Sequence, residues 1–196
     1  MQTSINEDLE GVAQWLNANR LIINAKKTEY ILIGSRKSIK MFYDTGIVLQ
    51  LNGCNLNEVN QCKYLGVIID QNLTWKLHID YMCRKLVKNL FLLRKARMYI
   101  TEHIARTLYY TIIQSHLDYC SPVWSNTFDI SLNKLRVLQK RALRIVLQVD
   151  YTVSSDALFQ RTNVELIDLR WKKTNLMLMF RIIQNQNIPQ YLFSRI

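Results

Sequence analysis

Basic side chains recur along two segments at spacings that suit the binding of phosphate groups. The first set shares one stripe of residues 75–97 and consists of Arg84, Lys88 and Lys95. The second set lies on one side of residues 131–149 and consists of Arg136, Lys140, Arg141 and Arg144. A helix presents cations at a regular rise on a rigid support, so each face can neutralise successive phosphates of a nucleic-acid backbone. One such helix is more simply a solvated surface, but two one-sided helices favour nucleic-acid contact.

The net charge supports this interpretation because it is confined to one part of the chain. The 196 residues carry a formal net charge of +11. Residues 1–70 contain seven basic and seven acidic side chains, whereas residues 71–196 contain nineteen basic and eight acidic ones. A local excess of this kind indicates a polyanionic partner, with nucleic acid the first candidate and an anionic membrane surface the second. Four tyrosine and tryptophan side chains could stack or pack near the basic faces: Tyr109, Tyr110, Tyr119 and Trp124.

Other kinds of chemistry find little support. Ser115, His116 and Asp118 are too close in sequence, at one helix end, for triad geometry. The cysteines match no C-x-x-C or zinc pattern, and they are Cys54, Cys62, Cys83 and Cys120. The sequence has no glycine-rich phosphate loop. We therefore expect no metal site, no cofactor and no small-molecule substrate in this chain.

The cysteines and the N-terminus also bear on localisation. Four unpaired thiols indicate a reducing compartment. The first ten residues, M-Q-T-S-I-N-E-D-L-E, are polar and acidic and do not resemble a signal peptide. No apolar run approaches the roughly 18 residues of a membrane span. We expect an intracellular protein, in the nucleus or the cytoplasm, that is not secreted and has no membrane partner.

The first seventy residues are predicted to be mixed α/β. A helix over residues 4–17 would begin with a capping box of Ser4 and Glu7. Apolar runs predict four short strands, at 21–24, 30–34, 47–53 and 62–70, with a turn at Asn52-Gly53. Residues 35–46 are predicted to be irregular. A glycine within the last strand, Gly66, would either form a bulge or let another backbone approach closely.

From Leu73 onward only helices are predicted, at residues 75–97, 101–117, 131–149, 154–161 and 165–186. Thr101 would cap the second of these, and a loop at Pro122 would follow it. The apolar stripe of the first should face a core, and it consists of Ile79, Met82, Leu86, Leu90 and Leu93. Met177 and Met179 are expected to fill the core. The fold class is thus α+β, passing into a helical bundle.

Two stretches carry a more specific signal. Residues 15–28 read W-L-N-A-N-R-L-I-I-N-A-K-K-T, and residues 63–75 read K-Y-L-G-V-I-I-D-Q-N-L-T-W. In this order and at about this separation they resemble the end of the palm domain of non-LTR (LINE-like, jockey-type) retrotransposon reverse transcriptases. The resemblance continues through H-L-D-Y-C-S-P-V-W at 116–124, the helix at 135–146 and the segment 166–192.

The resemblance implies a partial palm, made of a helix and short antiparallel strands, over residues 1–70. It implies a helical thumb and post-thumb region over residues 71–196. By the same resemblance, Lys27 would lie near the phosphates of an incoming nucleotide. A hairpin that supports the primer end would include Tyr64, Leu65 and Gly66. The partner would be an RNA–DNA hybrid or another nucleic acid, and the complete enzyme would use Mg²⁺.

The catalytic part of that family is missing from these residues. Its paired aspartates lie on a hairpin upstream of the helix that opens this chain, and no Asp-Asp pair occurs in the sequence. Two-metal phosphoryl transfer needs clustered carboxylates. We expect a fragment or remnant of an RNA-directed DNA polymerase that is inactive alone. The alternatives are a basic nucleic-acid-binding module that has outlived its enzyme, and a truncated reading frame, beginning at an internal Met, without selected function.

Overall fold

The computed structural model describes residues 2–24, 27–44, 46 and 48–184. The chain divides into two compact units, Met1–Leu77 and His78–Ile196. The first unit mixes helices with short strands, and the second is helical. The α+β class predicted from the sequence is therefore confirmed. The assignment of residues 1–70 to a palm and 71–196 to a thumb stays a prediction.

The first unit opens with helix α1, Gln2–Ala18. Because α1 already contains Ser4, the predicted capping box at that residue is wrong. Asn6 in α1 holds the chain near the second strand: its Nδ2 donates to the carbonyl of Val48 at 3.2 Å, and its Oδ1 accepts from the amide of Gln50 at 3.1 Å. Residues 21–24 have no regular structure, so the strand predicted there is wrong, and Ile22 is 97% exposed.

Four two-residue strands follow α1. β1 (Glu29–Tyr30) pairs in parallel with β4 (Asn57–Glu58), which departs from the expected antiparallel pairing. β2 (Gln50–Leu51) and β3 (Cys54–Asn55) form an antiparallel hairpin. The turn predicted at Asn52-Gly53 is confirmed, with φ of 50° and 72° at the two residues.

Residues 36–44 form a helix that the sequence pattern did not predict. This helix, α2, spans Arg36–Asp44 and buries Ile39. Ser35 caps it, because its Oγ accepts from the amide of Ser38 at 3.1 Å. The segment is mostly polar and has one buried apolar residue, Ile39, so its sequence shows no clear helical period.

The predicted strand at 62–70 is in fact a hairpin. β5 (Gln61–Tyr64) pairs antiparallel with β6 (Val67–Asp70), and Tyr64 lies opposite Val67. Leu65 and Gly66 form the turn, with φ of 45° and 84°. Two successive residues with positive φ define the type I′ turn that suits a two-residue hairpin. Gly66 thus lies in a turn and not inside a strand, where it permits the reversal of the chain.

The second unit is built on two long helices, α3 (Lys76–Ala96) and α7 (Asp129–Leu147). The predicted apolar stripe of α3 is confirmed, since Ile79, Leu86 and Leu93 have no exposed surface. On α7 a similar stripe is buried, and it includes Leu132, Leu135, Leu138, Ala142, Leu143 and Val146. The period of about 3.6 residues in the sequence thus fixed which faces of these helices enter the core.

The predicted helix at 101–117 is divided. It consists of α4 (Glu102–Tyr109), a π-helical turn (Tyr110–Gln114) and α5 (Ser115–Asp118). Thr101 occupies the cap position, but its side chain makes no capping hydrogen bond. The expected loop at Pro122 is instead a short helix, α6 (Ser121–Trp124), which accepts proline in its first turn because the missing N–H has no partner there.

Two further helices complete the described part, α8 (Ser155–Thr162) and α9 (Ile167–Ile183). Trp171 of α9 donates its indole N–H to the carbonyl of Leu117 at 2.8 Å. The second half of α9 is different, because Met177 and Met179 are 58% and 51% exposed. The prediction that these methionines fill the core is wrong. No helix in the described residues is both long and apolar enough to span a membrane.

Candidate nucleic-acid interface

The basic residues predicted on α3 lie on its exposed side. Arg84, Lys88 and Lys95 are all exposed, opposite the buried stripe of the helix. Arg84 and Lys88 line a shallow groove of about 510 Å³ together with Tyr81 and Lys85. The ammonium of Lys95 lies 5.7 Å from the centre of the Phe91 ring. This face can therefore present positive charge to a ligand without rearrangement of the helix.

Arg136 on α7 is occupied by aspartates. Its Nε donates to both carboxylate oxygens of Asp168, at 3.0 and 2.9 Å, and its terminal nitrogen lies 2.7 Å from Asp129. Hydrogen bonding to Asp168, and then to Asp129, raises the pKa of Arg136. Because two carboxylates offset this charge, Arg136 fits a structural role better than phosphate binding.

The other three predicted residues of α7 differ from one another. Arg141 is exposed, and Lys140 is partly exposed. Neither of them has a carboxylate partner in the described part of the chain. Arg144 donates to the backbone carbonyls of Tyr151 and Val153, at 3.4 and 3.2 Å. These bonds leave the charge of Arg144 unneutralised while they fix its position.

The ion pairs of the second unit decide where positive charge remains. Five basic side chains pair with acidic ones among the described residues: Arg106, Lys134, Arg136, Arg170 and Lys173. These pairs engage Asp80, Glu102, Asp118, Asp129, Glu165 and Asp168. Of the unit's acidic residues, only Asp150 and Asp156 take no part in them. The uncompensated charge is thus concentrated on residues outside these pairs.

A cavity of about 410 Å³ brings arginines of both long helices together. Arg94 of α3 and Arg97, just beyond its end, line it with Arg141 and Arg144 of α7. Arg97 is held by carbonyls, since its Nε donates to Val146 and its terminal nitrogen to Ile100, both at 2.8 Å. Sequence reasoning missed Arg94 and Arg97. The signal available was the run R-K-A-R at 94–97, which closes a basic helix.

The residues singled out in the first unit are exposed. Lys27 lies in the loop before β1, where its backbone N–H donates to the carbonyl of Asn24 at 2.9 Å. Tyr64 and Leu65 are 64% and 71% exposed at the tip of the β5–β6 hairpin. An exposed hairpin tip is compatible with the primer-supporting role, which stays a prediction, as does the phosphate role of Lys27.

Asp70, which ends β6, has a structural role. It is only 7% exposed. Its Oδ1 accepts from the amides of Asn72 and Thr74, at 3.2 and 3.0 Å, and its Oδ2 accepts from the amide of Trp75 at 2.9 Å and from the hydroxyl of Thr74 at 3.2 Å. Four donors to one carboxylate fix the turn that leads into α3. The D-x-x-x-T-W part of the motif is thereby explained without catalysis.

The aromatic residues near the basic helices separate into two groups. Tyr109 and Trp124 have no exposed surface, so they pack in the core and cannot stack on a base. Burial raises the pKa of Tyr109, whose hydroxyl donates to Gln114 at 2.6 Å. Tyr110 and Tyr119 are instead 40% and 50% exposed.

The described residues contain no group of three or more His, Cys, Asp or Glu side chains placed to hold a metal ion. The carboxylates present in the second unit are largely engaged by arginine and lysine. The donor set of this part of the chain does not fit a two-metal centre, and no catalytic step follows from it.

The sequence of this chain is similar to those of RNA-directed DNA polymerases from transposons. The sequence is 25% identical over 167 residues to a probable RNA-directed DNA polymerase from transposon BS of Drosophila melanogaster, which covers 84% of this chain and 18% of that protein. It is 33% identical over 97 residues to the RNA-directed DNA polymerase from mobile element jockey of Drosophila funebris, which covers 48% of this chain and 11% of that protein.

The jockey polymerase of Drosophila melanogaster is 27% identical over 147 residues, which are 72% of this chain and 15% of that protein. These matches confirm the resemblance that the motifs indicated. The chain spans less than a fifth of the length of these relatives. No family model and no solved structure matches the sequence.

Proposed function

We propose that this chain is the thumb-bearing segment of a non-LTR retrotransposon reverse transcriptase, and that its basic helices hold an RNA–DNA hybrid by the backbone. The observation that carries this proposal is the distribution of charge in the second unit. Ion pairs engage most of the acidic side chains, while Arg84, Lys88 and Lys95 remain exposed without carboxylate partners in the described residues. The similarity to transposon polymerases supports the choice of ligand.

The interaction is mainly electrostatic. Lysine and arginine on a helix displace counterions from the phosphates, and the affinity falls as salt rises. Side chains on a rigid helix contact backbone oxygens without reading base edges, so little base specificity follows. The protein acts inside the cell, in the nucleus or the cytoplasm.

The same proposal includes the absence of polymerase activity in the isolated chain. The sequence contains no Asp-Asp pair to hold catalytic metals. Purified chain should show no Mg²⁺-dependent incorporation of nucleotides into a primed template. Incorporation that follows the purified chain through two columns would reject this part of the proposal.

The binding test uses fluorescence anisotropy with a blunt RNA–DNA hybrid at several salt concentrations. The triple variant Arg84→Glu, Lys88→Glu, Lys95→Glu should weaken binding by at least about tenfold, and it should flatten the dependence of log affinity on log salt. A matched control reverses three exposed basic residues on α8 and α9, namely Arg161, Lys172 and Arg181. The control variant should keep most of the affinity.

Two results would contradict the assignment of the α3 face. One is equal weakening by the triple variant and its control, which would indicate only a general effect of net charge. The other is binding by the unmodified chain that does not change with salt. Absence of any measurable binding at low salt would reject the nucleic-acid function as a whole.

A further inference from the structure

We infer that the arginine cavity between the C-terminal ends of α3 and α7 binds one phosphate of an unpaired nucleotide, whose base stacks on Tyr151. The arginine cavity is the one lined by Arg94, Arg97, Arg141 and Arg144. This inference rests on the proposed function and deepens it, because it assigns part of the ligand to a single strand that continues from the hybrid.

The size and charge of the arginine cavity suit such a ligand. Its volume of about 410 Å³ lies in the range of about 300–1,000 Å³ that is typical of small-molecule sites. Four arginines line it against one acidic residue, Asp150. Guanidinium groups bind phosphate oxygens through paired N–H donors, which makes arginine the preferred residue for bidentate contact with a phosphate.

Two of the arginines are fixed in place and two are available. Arg97 and Arg144 donate to backbone carbonyls, which neutralise no charge and leave other N–H groups of each side chain unused. Arg94 and Arg141 are exposed, and no ion pair or hydrogen bond of their side chains is found in the described residues. Arg94 and Arg141 could therefore bind a phosphate directly, while the positive charges of Arg97 and Arg144 add to the electrostatic attraction.

Tyr151 provides the second contact. It is 86% exposed and lines the same cavity. Arg144 holds the turn that carries it, because the guanidinium bonds the carbonyls of Tyr151 and Val153. Arg144 is thus a positioning residue for the aromatic ring. Stacking of a base on an exposed ring contributes about 1–3 kcal/mol and tolerates any base.

A single strand fits these features better than a duplex. The four arginines line one cavity, whereas a duplex presents a row of phosphates that a straight helix face matches. Base pairs inside a duplex have both faces covered by their neighbours, so an unpaired base is more accessible to the ring of Tyr151. The α3 face would then hold the hybrid while the arginine cavity takes the strand that leaves it.

The test compares three ligands by fluorescence anisotropy with the full chain. They are a blunt RNA–DNA hybrid, the same hybrid with a five-nucleotide single-stranded overhang, and one with an abasic overhang of equal length. The unmodified chain should bind the overhang about 5- to 30-fold more tightly than the blunt hybrid. The abasic overhang should fall between them, because it keeps the phosphates and lacks the bases.

Variants separate the two contacts. The double variant Arg94→Glu, Arg141→Glu should bind the overhang and blunt hybrids with equal affinity. Its affinity for the blunt hybrid should fall by a smaller factor than its affinity for the overhang hybrid. Tyr151→Ala should lower affinity for the overhang to the level of the abasic ligand. These three side chains are exposed, so the variants should fold, and the double variant Arg161→Glu, Lys172→Glu serves as the charge-matched control.

Each outcome bears on one proposal or on both. Equal binding of blunt and overhang ligands by the unmodified chain would reject the cavity and leave the grip on the hybrid intact. An equal loss of affinity for the blunt and overhang hybrids in the double variant Arg94→Glu, Arg141→Glu would also reject the cavity. Overhang binding that depends on Arg94, without blunt binding, would support the cavity and overturn the hybrid assignment. No binding of any ligand would reject both.

Discussion

Arg136 and Asp168 form a forked ion pair across 32 residues of sequence. The Nε atom donates to both carboxylate oxygens, at 3.0 and 2.9 Å, and a terminal nitrogen donates to Oδ1 at 2.8 Å. The pair joins α7 to α9. A residue that the sequence pattern placed on a phosphate-binding face is therefore part of the internal support of the second unit.

We expect Arg136→Gln to lower the free energy of unfolding by about 1–3 kcal/mol, because Asp168 is left without its forked donor. Arg141→Gln, on the same helix but exposed, should change it by less than about 0.5 kcal/mol. Urea denaturation followed by circular dichroism measures both. In binding assays with the overhang hybrid, Arg141→Gln should bind more weakly than Arg136→Gln. Equal stability of the two variants would contradict the structural role of Arg136.

Asp70 should be essential to the turn before α3. Asp70→Ala leaves three backbone amides and the Thr74 hydroxyl without their acceptor, and it should cost about 2–4 kcal/mol. Asp70→Asn keeps one acceptor oxygen and should cost less. Asp44→Ala, at the exposed end of α2, is the matched control and should be nearly neutral. If denaturation gives Asp70→Ala the same free energy of unfolding as Asp44→Ala, the turn forms without the carboxylate.

The β5–β6 hairpin carries backbone strain at Leu65, which has φ of 45° although its side chain is branched and 71% exposed. Asparagine tolerates this conformation and is favoured before glycine in such a turn. Leu65→Asn should therefore stabilise the protein by about 0.5–1 kcal/mol. Tyr64→Asn, at the neighbouring exposed position without positive φ, should give no gain. A fall in stability with Leu65→Asn would mean that the leucine side chain contributes more than the strain costs.

If the hairpin tip supports a primer, Leu65→Asn should also weaken hybrid binding while the melting temperature rises. Such opposite effects of one substitution on binding and stability are characteristic of strain kept at a functional position. Binding that does not change would leave the tip a purely structural turn.

The stability of the second unit should fall below neutral pH because of His78. This residue is 2% exposed, and its ring lies 5.6 Å from that of Trp124. Burial lowers the pKa of His78, and burial with help from Lys85 also lowers the pKa of His116. The folded state thus favours neutral imidazole, whereas the unfolded chain takes up protons near pH 6.5.

The contribution of His78 is therefore fully present above about pH 6.5 and is lost as the pH falls from there through the folded-state pKa. Unfolding free energies at pH 7.5 and pH 5.5 should show this loss. His78→Leu should reduce the difference between the two pH values, and His103→Gln, at an exposed position, should leave it unchanged. An undiminished difference in His78→Leu would assign the pH dependence to other groups.

Local patterns predicted the helices well and the strands poorly. The apolar stripe of α3 repeats over several turns, and each turn adds evidence for the same buried face. The strands of the first unit are two to four residues long, so they contain too few alternations to define a period. The apolar pattern predicts a single strand through Gly66, because the turn of the hairpin contains an apolar leucine. The exposure of Met177 depends on what lies around α9, which its own sequence does not contain.

The sequence by itself determined the class of the fold, the location of the positive charge and the resemblance to transposon polymerases. These follow from composition, from helical periodicity and from motifs in a fixed order, all of which are readable along the chain. Only the tertiary structure decided which cations are available. Arg136 forms an ion pair with Asp168, and Arg94 and Arg141 line one cavity, because folding brings together residues that are distant in sequence. The residue type sets the charge of a side chain, but the packing of the folded chain sets which other residue lies beside it.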